Sequence, residues 1–230
     1  MTTKPKTPAV YTQHRAQRRI SSGAALGIVL GAVVVIAAVV AIAMSLGGGS
    51  SGKTEIADSV DISGTILPVL PKSGDDPAVT QKLKAPTLNG QSFDGSKVSI
   101  VPGGKPKLVA VVAHWCPHCQ VEVPRLVQWE ADGGKPADLE IYGVSSAVAE
   151  GADSYPPSAW LEREGFPGPV LVDEAGSKPG VGGPAAEAYG TSGFPFVVIM
   201  DANGIVKARH AGEFASVEEF DAWVDAALAA

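Results

Sequence analysis

Leu108-Val109-Ala110-Val111-Val112-Ala113-His114-Trp115-Cys116-Pro117-His118-Cys119 joins an unbroken apolar run to the only two cysteines in a chain of 230 residues. Five small or β-branched apolar residues in succession suit a strand buried on both faces. Beyond the cysteines, Val121 to Trp129 is amphipathic, so the stretch reads as strand, Cys-x-x-Cys, helix. A cysteine that opens a helix meets backbone N–H groups with no intrahelical acceptor and the positive end of the macrodipole. Both favour a thiolate. This is a redox geometry, and with no third cysteine no structural bridge competes for either partner.

Upstream, Ala24 to Leu46 is 23 residues without a charge. As a helix it would extend about 35 Å, enough to cross a hydrocarbon core of about 30 Å. Residues 1–23 are polar and basic, whereas Gly and Ser follow the apolar segment. The positive-inside rule therefore expects a cytoplasmic tail at 1–23, a transmembrane helix at 24–46 and everything later outside the cytoplasm. A cleavable leader would have a shorter apolar core, and no cysteine near the segment's end offers a lipid anchor. Residues 1–46 hold five basic and no acidic residues, which leaves 13 of the 18 basic residues against all 24 acidic ones. So acidic a body argues against nucleic acid as a partner.

Residues 47–79 read as a tether, flexible at Gly47-Gly48-Gly49-Ser50-Ser51-Gly52 and able to lay a short strand on the domain that follows. That domain is expected at 80–230. Ala85 to Leu88 and Val98 to Val101 suggest a strand pair, with turn chemistry at Asn89-Gly90. Strands are expected at Leu139–Val144, Val170–Val172 and Phe196–Met200, the last in a hairpin that turns at Asp201 to Gly204. Short helices are expected at Ser158–Glu164 and Pro184–Tyr189, and Pro124 should kink the helix after the motif. The last helix has Ser216 as its cap, Glu219 completing a Ser-x-x-Glu box, and one apolar face of Val217, Phe220, Val224, Ala227 and Leu228. Strands alternating with helices give an α/β class.

Cys116 is expected to be the attacking thiolate and Cys119, one turn inward, the resolving thiol. His118 lies between them and, when protonated, can stabilise the thiolate; otherwise it is a solvated residue at a helix start. Glu122, three residues after Cys119, shares its helix face and could exchange a proton with it; the plainer role is an acid complementing the dipole. His114 and His210 read as surface or turn residues.

Trp115-Cys116-Pro117-His118-Cys119 after a buried strand, Pro124 five residues past the second cysteine, and Gly193-Phe194-Pro195 before a hairpin resemble the thioredoxin superfamily. The Ala85-Pro86 to Gly90 segment, Glu122 with Pro124, and the long gap from Cys119 to Pro195 resemble membrane-anchored TlpA/ResA-type proteins. The tetrapeptide Cys-Pro-His-Cys is that of the DsbA-type oxidases. The resemblance covers residues 80–229. It implies a thioredoxin-like fold, a central mixed sheet flanked by helices, with an N-terminal hairpin and an inserted strand–helix element.

It further implies an extracytoplasmic protein thiol–disulfide oxidoreductase without a cofactor. Its partners would be exported proteins with cysteine thiols or disulfides and a membrane partner that recycles the pair. Trp115, Pro117, His118 and Glu122 would modulate the cysteines. Phe194 and Pro195 would contact substrate, with Pro195 at the family's cis-proline position and Phe194 larger than the residue common there. Ala110 stands where cytosolic thioredoxins have a buried aspartate, which weakens a general-reductase reading. The direction of electron flow stays open: His118 leans toward oxidation, Glu122 and the domain pattern toward reduction. The alternatives are a non-redox anchored binding module or a zinc site on the same cysteines, although no second Cys-x-x-Cys or His-x₃-His completes a tetrahedron. A peroxiredoxin-like peroxidase would share the fold but normally lacks the Trp-Cys-x-x-Cys pair.

Overall fold

The computed structural model describes residues 52–230. In chain order the elements are β1 (Asp61–Ser63), α1 (Pro77–Thr80), β2 (Thr87–Gln91), β3 (Lys97–Ile100), β4 (Lys107–Val112), α2 (Pro117–Ala131) and β5 (Glu140–Ser145). They continue with α3 (Pro157–Glu164), β6 (Val170–Val172), α4 (Pro184–Ala188), β7 (Phe196–Met200), β8 (Val206–Ala211) and α5 (Val217–Ala229). No helix among the described residues is long and apolar enough to cross a membrane; the span expected at 24–46 lies outside them.

β4 occupies the middle of a five-stranded sheet of order β6-β5-β4-β7-β8. It runs parallel to β5 and antiparallel to β7, with Val111 opposite Phe196. All six of its residues are buried. Leu108, Ala110 and Val112 pack into one core with Val123, Leu126 and Trp129 of α2, Trp160 of α3, and Phe220 and Val224 of α5. Val109 and Val111 point the other way, into a second core with Ala185, Ala186 and Ala188 of α4 and with Leu88, Val98 and Ile100 of a small antiparallel sheet, β1-β2-β3. A strand covered on both faces has to be apolar throughout, which is why the run 108–112 does not alternate.

The hairpin departs from the sequence expectation. Asn89 and Gly90 lie inside β2, paired with Ser99 and Val98, and the turn falls at Ser92–Ser96, where Asp94 accepts from the Ser96 amide and hydroxyl. Gly90 serves a close approach instead of a turn: a Cβ there would lie 3.3 Å from the Leu171 side chain. Two sheets meet at this point.

The compact unit runs Ser51–Ala230, so the boundary expected at residue 80 falls inside it. Residues in the expected tether do lay a strand, β1, against β2. They also hydrogen-bond along the body: Thr54 N–H to Phe93 O, Ala57 N–H to Asp173 O, Leu67 N–H to Ala188 O and Leu70 N–H to Gly190 O. Leu67 is buried, and Arg209 on β8 fixes the strap from beneath. Its guanidinium makes a bidentate pair with Asp76 (Nε to Oδ2 2.8 Å) and donates to Pro68 O at 2.8 Å and Tyr189 O at 2.9 Å. Scattered apolar residues separated by Pro and Gly can dock as an irregular strap, a mode that has no periodicity to read.

Pro124 lies within α2 without ending it. Ser216 caps α5 by accepting from the Glu219 amide at 3.2 Å, while Glu219 accepts from the amide of Ala215, one residue before the cap. His114 and His210 are not surface residues. His114 is 1% exposed, its ring nitrogens bonded to Asp153 O and the Ala149 amide. His210, half-buried on β8, stacks on Phe214 at 4.0 Å with its Nε2 buried and unpartnered. Burial, the largest influence on each, holds both imidazoles below the usual histidine range.

Candidate active site

β4 ends at Val112, and Ala113 to Trp115 turn the chain so that Cys116 becomes the N-cap of α2, with extended backbone (φ −76°, ψ 119°) and Pro117 in the first turn. Proline suits that place because its missing N–H would have had no helical acceptor. No side chain caps the helix, so the positive end of α2 is left to the cysteine sulfur.

Both cysteines are free thiols, and they differ in depth. Cys116 is 6% exposed and Cys119 0%. The Cys116 Sγ lies 3.4 Å from the carbonyl of Phe194, and Cys119 Sγ accepts from the Ala113 amide at 3.5 Å. Burial pushes the Cys119 thiol far up; the nearby Cys116 and Glu122 add to that, and the Ala113 amide opposes it. A thiol held so strongly in its protonated form needs a base before it can attack.

Glu122, three residues on along α2, is close enough for its charge to act on that thiol. It is 3% exposed on the inner side of α2. Its Oε2 takes the Arg125 guanidinium at 2.5 Å and the Phe214 amide at 3.1 Å, while Oε1 is buried with no partner. Burial outweighs those two donors, and the carboxyl sits above its usual range, pushed further by the charge of Glu213. A raised carboxyl accepts and returns protons closer to neutral pH than an ordinary one.

The second stretch arrives from the far end of the sheet. The Phe194–Pro195 peptide is cis, Pro195 is buried, and Phe196 begins β7 beside β4. Pairing of β7 with β4 therefore sets the Phe194 carbonyl over Cys116. Trp115 closes the surface from the other side: its Nε1 donates to Ala147 O at 2.7 Å, and its ring meets Phe194 edge-on at 6.4 Å. Two shallow clefts flank this pair. One, about 310 Å³, runs from Gly180 to Phe194; the other, about 550 Å³, lies between Trp115, Ala149, Asp153 and Gly180. The two clefts share Gly180 in their walls.

The structure thus brings together Cys116, Cys119, Trp115, Phe194 and Pro195, with Glu122 beneath and Pro117 exposed at the helix start. His118 is different. Its side chain is 64% exposed, and Nδ1 lies 3.4 Å from the Glu213 carboxylate. Among the described residues no group of three His, Cys, Asp or Glu side chains clusters to hold a metal.

Three contributors were missed in reading the sequence. Arg125 could have been found, since Glu-x-x-Arg is a helical pair spacing. Glu213 sits in a loop with no pattern. Asp173, at the end of β6, accepts from the Ser146 hydroxyl at 2.6 Å and from the Ala185 and Ala186 amides, capping α4 from a distant strand. Burial holds its carboxyl above the usual range despite these donors. The chain passes close over it, because a Cβ on Gly183 would meet Glu174 O at 2.1 Å. Asp173 thereby fixes the wall that leads to Phe194.

The profile of the AhpC/TSA family matches residues 76–209. Among curated proteins, the "Thiol:disulfide interchange protein DsbE" of Escherichia coli (strain K12) is 27% identical over 148 residues, 61% of this chain and 72% of that one. The protein of the same name from Yersinia pestis is 26% identical over 137 residues, 60% of this chain and 63% of that one. Among solved structures, the thioredoxin-like superfamily protein SPOA0173 aligns with a TM-score of 0.50 at 24% identity, over 63% of this chain and 94% of that one. The α/β body is thioredoxin-like in fold.

Proposed function

This chain belongs to the AhpC/TSA family, and we propose that it is a protein thiol–disulfide oxidoreductase held at a membrane by residues 24–46, with its redox domain outside the cytoplasm. It exchanges disulfides with exported proteins through Cys116 and Cys119. The observation that carries this reading is the pair itself. One thiol sits at a helix N-terminus under the backbone of Phe194, and the other is fully buried behind it. The names of the similar proteins from Escherichia coli and Yersinia pestis support the same chemistry.

We assign the reductive direction, toward which the buried Glu122 and the domain pattern lean. The Cys116 thiolate attacks a substrate disulfide, forming a mixed disulfide and releasing one substrate thiolate, which takes a proton. Glu122 removes the Cys119 proton. The Cys119 thiolate then attacks the Cys116 sulfur, the mixed disulfide breaks, and the second substrate thiol departs. Two electrons have passed to the substrate, and the enzyme holds a Cys116–Cys119 disulfide that a dithiol partner at the membrane must reduce. The clefts around Trp115 and Gly180 receive the polypeptide on either side of its cysteine. The Cys-Pro-His-Cys tetrapeptide favours the second reading, an oxidase, in which the same steps run backwards.

A Cys119→Ala chain tests the reading. It should accumulate mixed disulfides between Cys116 and exported proteins, and a Cys116→Ala/Cys119→Ala chain should accumulate none. Tight zinc binding at the pair with no reversible disulfide would sink the redox reading.

A further inference from the structure

The loop between β8 and α5 touches the redox helix twice. The Phe214 amide binds Glu122, and one residue earlier the Glu213 carboxylate meets His118. We infer that Glu213 is a positioning residue that acts through His118 to bias the Cys116–Cys119 pair toward a more reducing potential. The inference rests on the redox reading above and names a part of the site that tunes its potential.

The sign follows from charge alone. An imidazolium between the cysteines would stabilise a Cys116 thiolate, favour the reduced enzyme and make the disulfide a stronger oxidant. Here the imidazole turns its Nδ1 to a carboxylate 3.4 Å away. The two side chains together carry between −1 and 0 charge, whichever form His118 takes. With a glutamine in place of Glu213, the same position carries between 0 and +1. The thiolate is therefore less favoured with Glu213 than without it.

Among the described residues no second carboxylate pairs with His118. Of the two acids on α2, Glu122 is buried and engaged by Arg125 and the Phe214 amide, and Glu130 lies at the far end of the helix. Glu213 also opposes ionisation of Glu122. Its side chain is 37% exposed, so the pair is partly screened and its effect modest.

The experiment equilibrates the full chain in detergent with glutathione buffers and reads the fraction of Cys116–Cys119 disulfide. Glu213→Gln should shift the equilibrium about threefold toward the reduced enzyme, the size expected of a partly exposed ion pair. That shift is about 14 mV toward a more oxidising potential. In a His118→Gln background the same substitution should move the equilibrium less than half as far. An unchanged constant in Glu213→Gln, a shift toward the oxidised enzyme, or an equal shift with and without His118 overturns the inference. Failure of the wild-type pair to form any reversible disulfide is a separate outcome: it removes the redox reading itself.

Discussion

Among the described residues two arginine–carboxylate pairs are largely withdrawn from solvent, with opposite consequences. Arg209 and Asp76 tie the N-terminal strap to β8, and every polar atom of the guanidinium faces an acceptor: both Asp76 oxygens, Pro68 O and Tyr189 O. Burial pushes the Asp76 carboxyl up, but Arg209 and the Ala78 and Val79 amides outweigh it, and the net direction is downward. Arg125 and Glu122 meet through one oxygen only. The other is buried alone, burial wins, and that carboxyl rises. A fully satisfied pair fixes charge and structure. A half-satisfied pair leaves a carboxyl that can still change its protonation state. The first suits a knot, the second the proton exchange with Cys119 that we propose for Glu122.

The largest expected effect breaks the knot. Arg209→Met leaves Asp76 and two carbonyls in the interior without their donor, and loss of one partner of a buried pair costs about 3–5 kcal/mol. Urea unfolding of the domain measures this. The redox equilibrium of molecules that remain folded should stay within a factor of two of wild type, since the knot does not touch the cysteines.

Glu122→Gln should reverse that pattern. Removing a general base slows the step it serves by about 10²-fold or more, so the resolving attack of Cys119 on a mixed disulfide should slow accordingly. Stability should not suffer equally. A carboxyl raised in the folded state binds protons more tightly there than in the unfolded chain, so its contribution to stability falls as pH rises from about 4.5 through the raised value. Glutamine removes that loss and flattens the stability profile over the same window. Rapid-mixing kinetics against pH should show a wild-type limb rising through the Glu122 ionisation, absent from the variant. A variant that keeps this limb would assign the proton to another group.

What could be read from the sequence follows the same division. The strand, the Cys-x-x-Cys, the helix and the Ser216 cap each depend on neighbours in sequence, and local spacing shows them. The knot joins residues 133 positions apart, and Arg209 in Lys207-Ala208-Arg209-His210 looks like an exposed strand residue. Asn89-Gly90 carried turn chemistry, but Leu171 needed the space that Gly90 leaves. His114 is buried because Asp153 and Ala149, more than thirty residues later, satisfy its ring. The proximity of Glu122 to Cys119 could be inferred from helical spacing. Its unpaired oxygen could not, because that depends on where the Phe214 loop lies.

The reduction potential of the Cys116–Cys119 pair tests the reductive assignment most directly. Each 29.6 mV is about a tenfold change in equilibrium, and thioredoxin-like reductants and DsbA-like oxidants are separated by about 150 mV. If the proposed reductive direction holds, the full-length chain should titrate at about −270 mV. A value near about −120 mV would contradict the account and assign the protein to the oxidation of exported thiols.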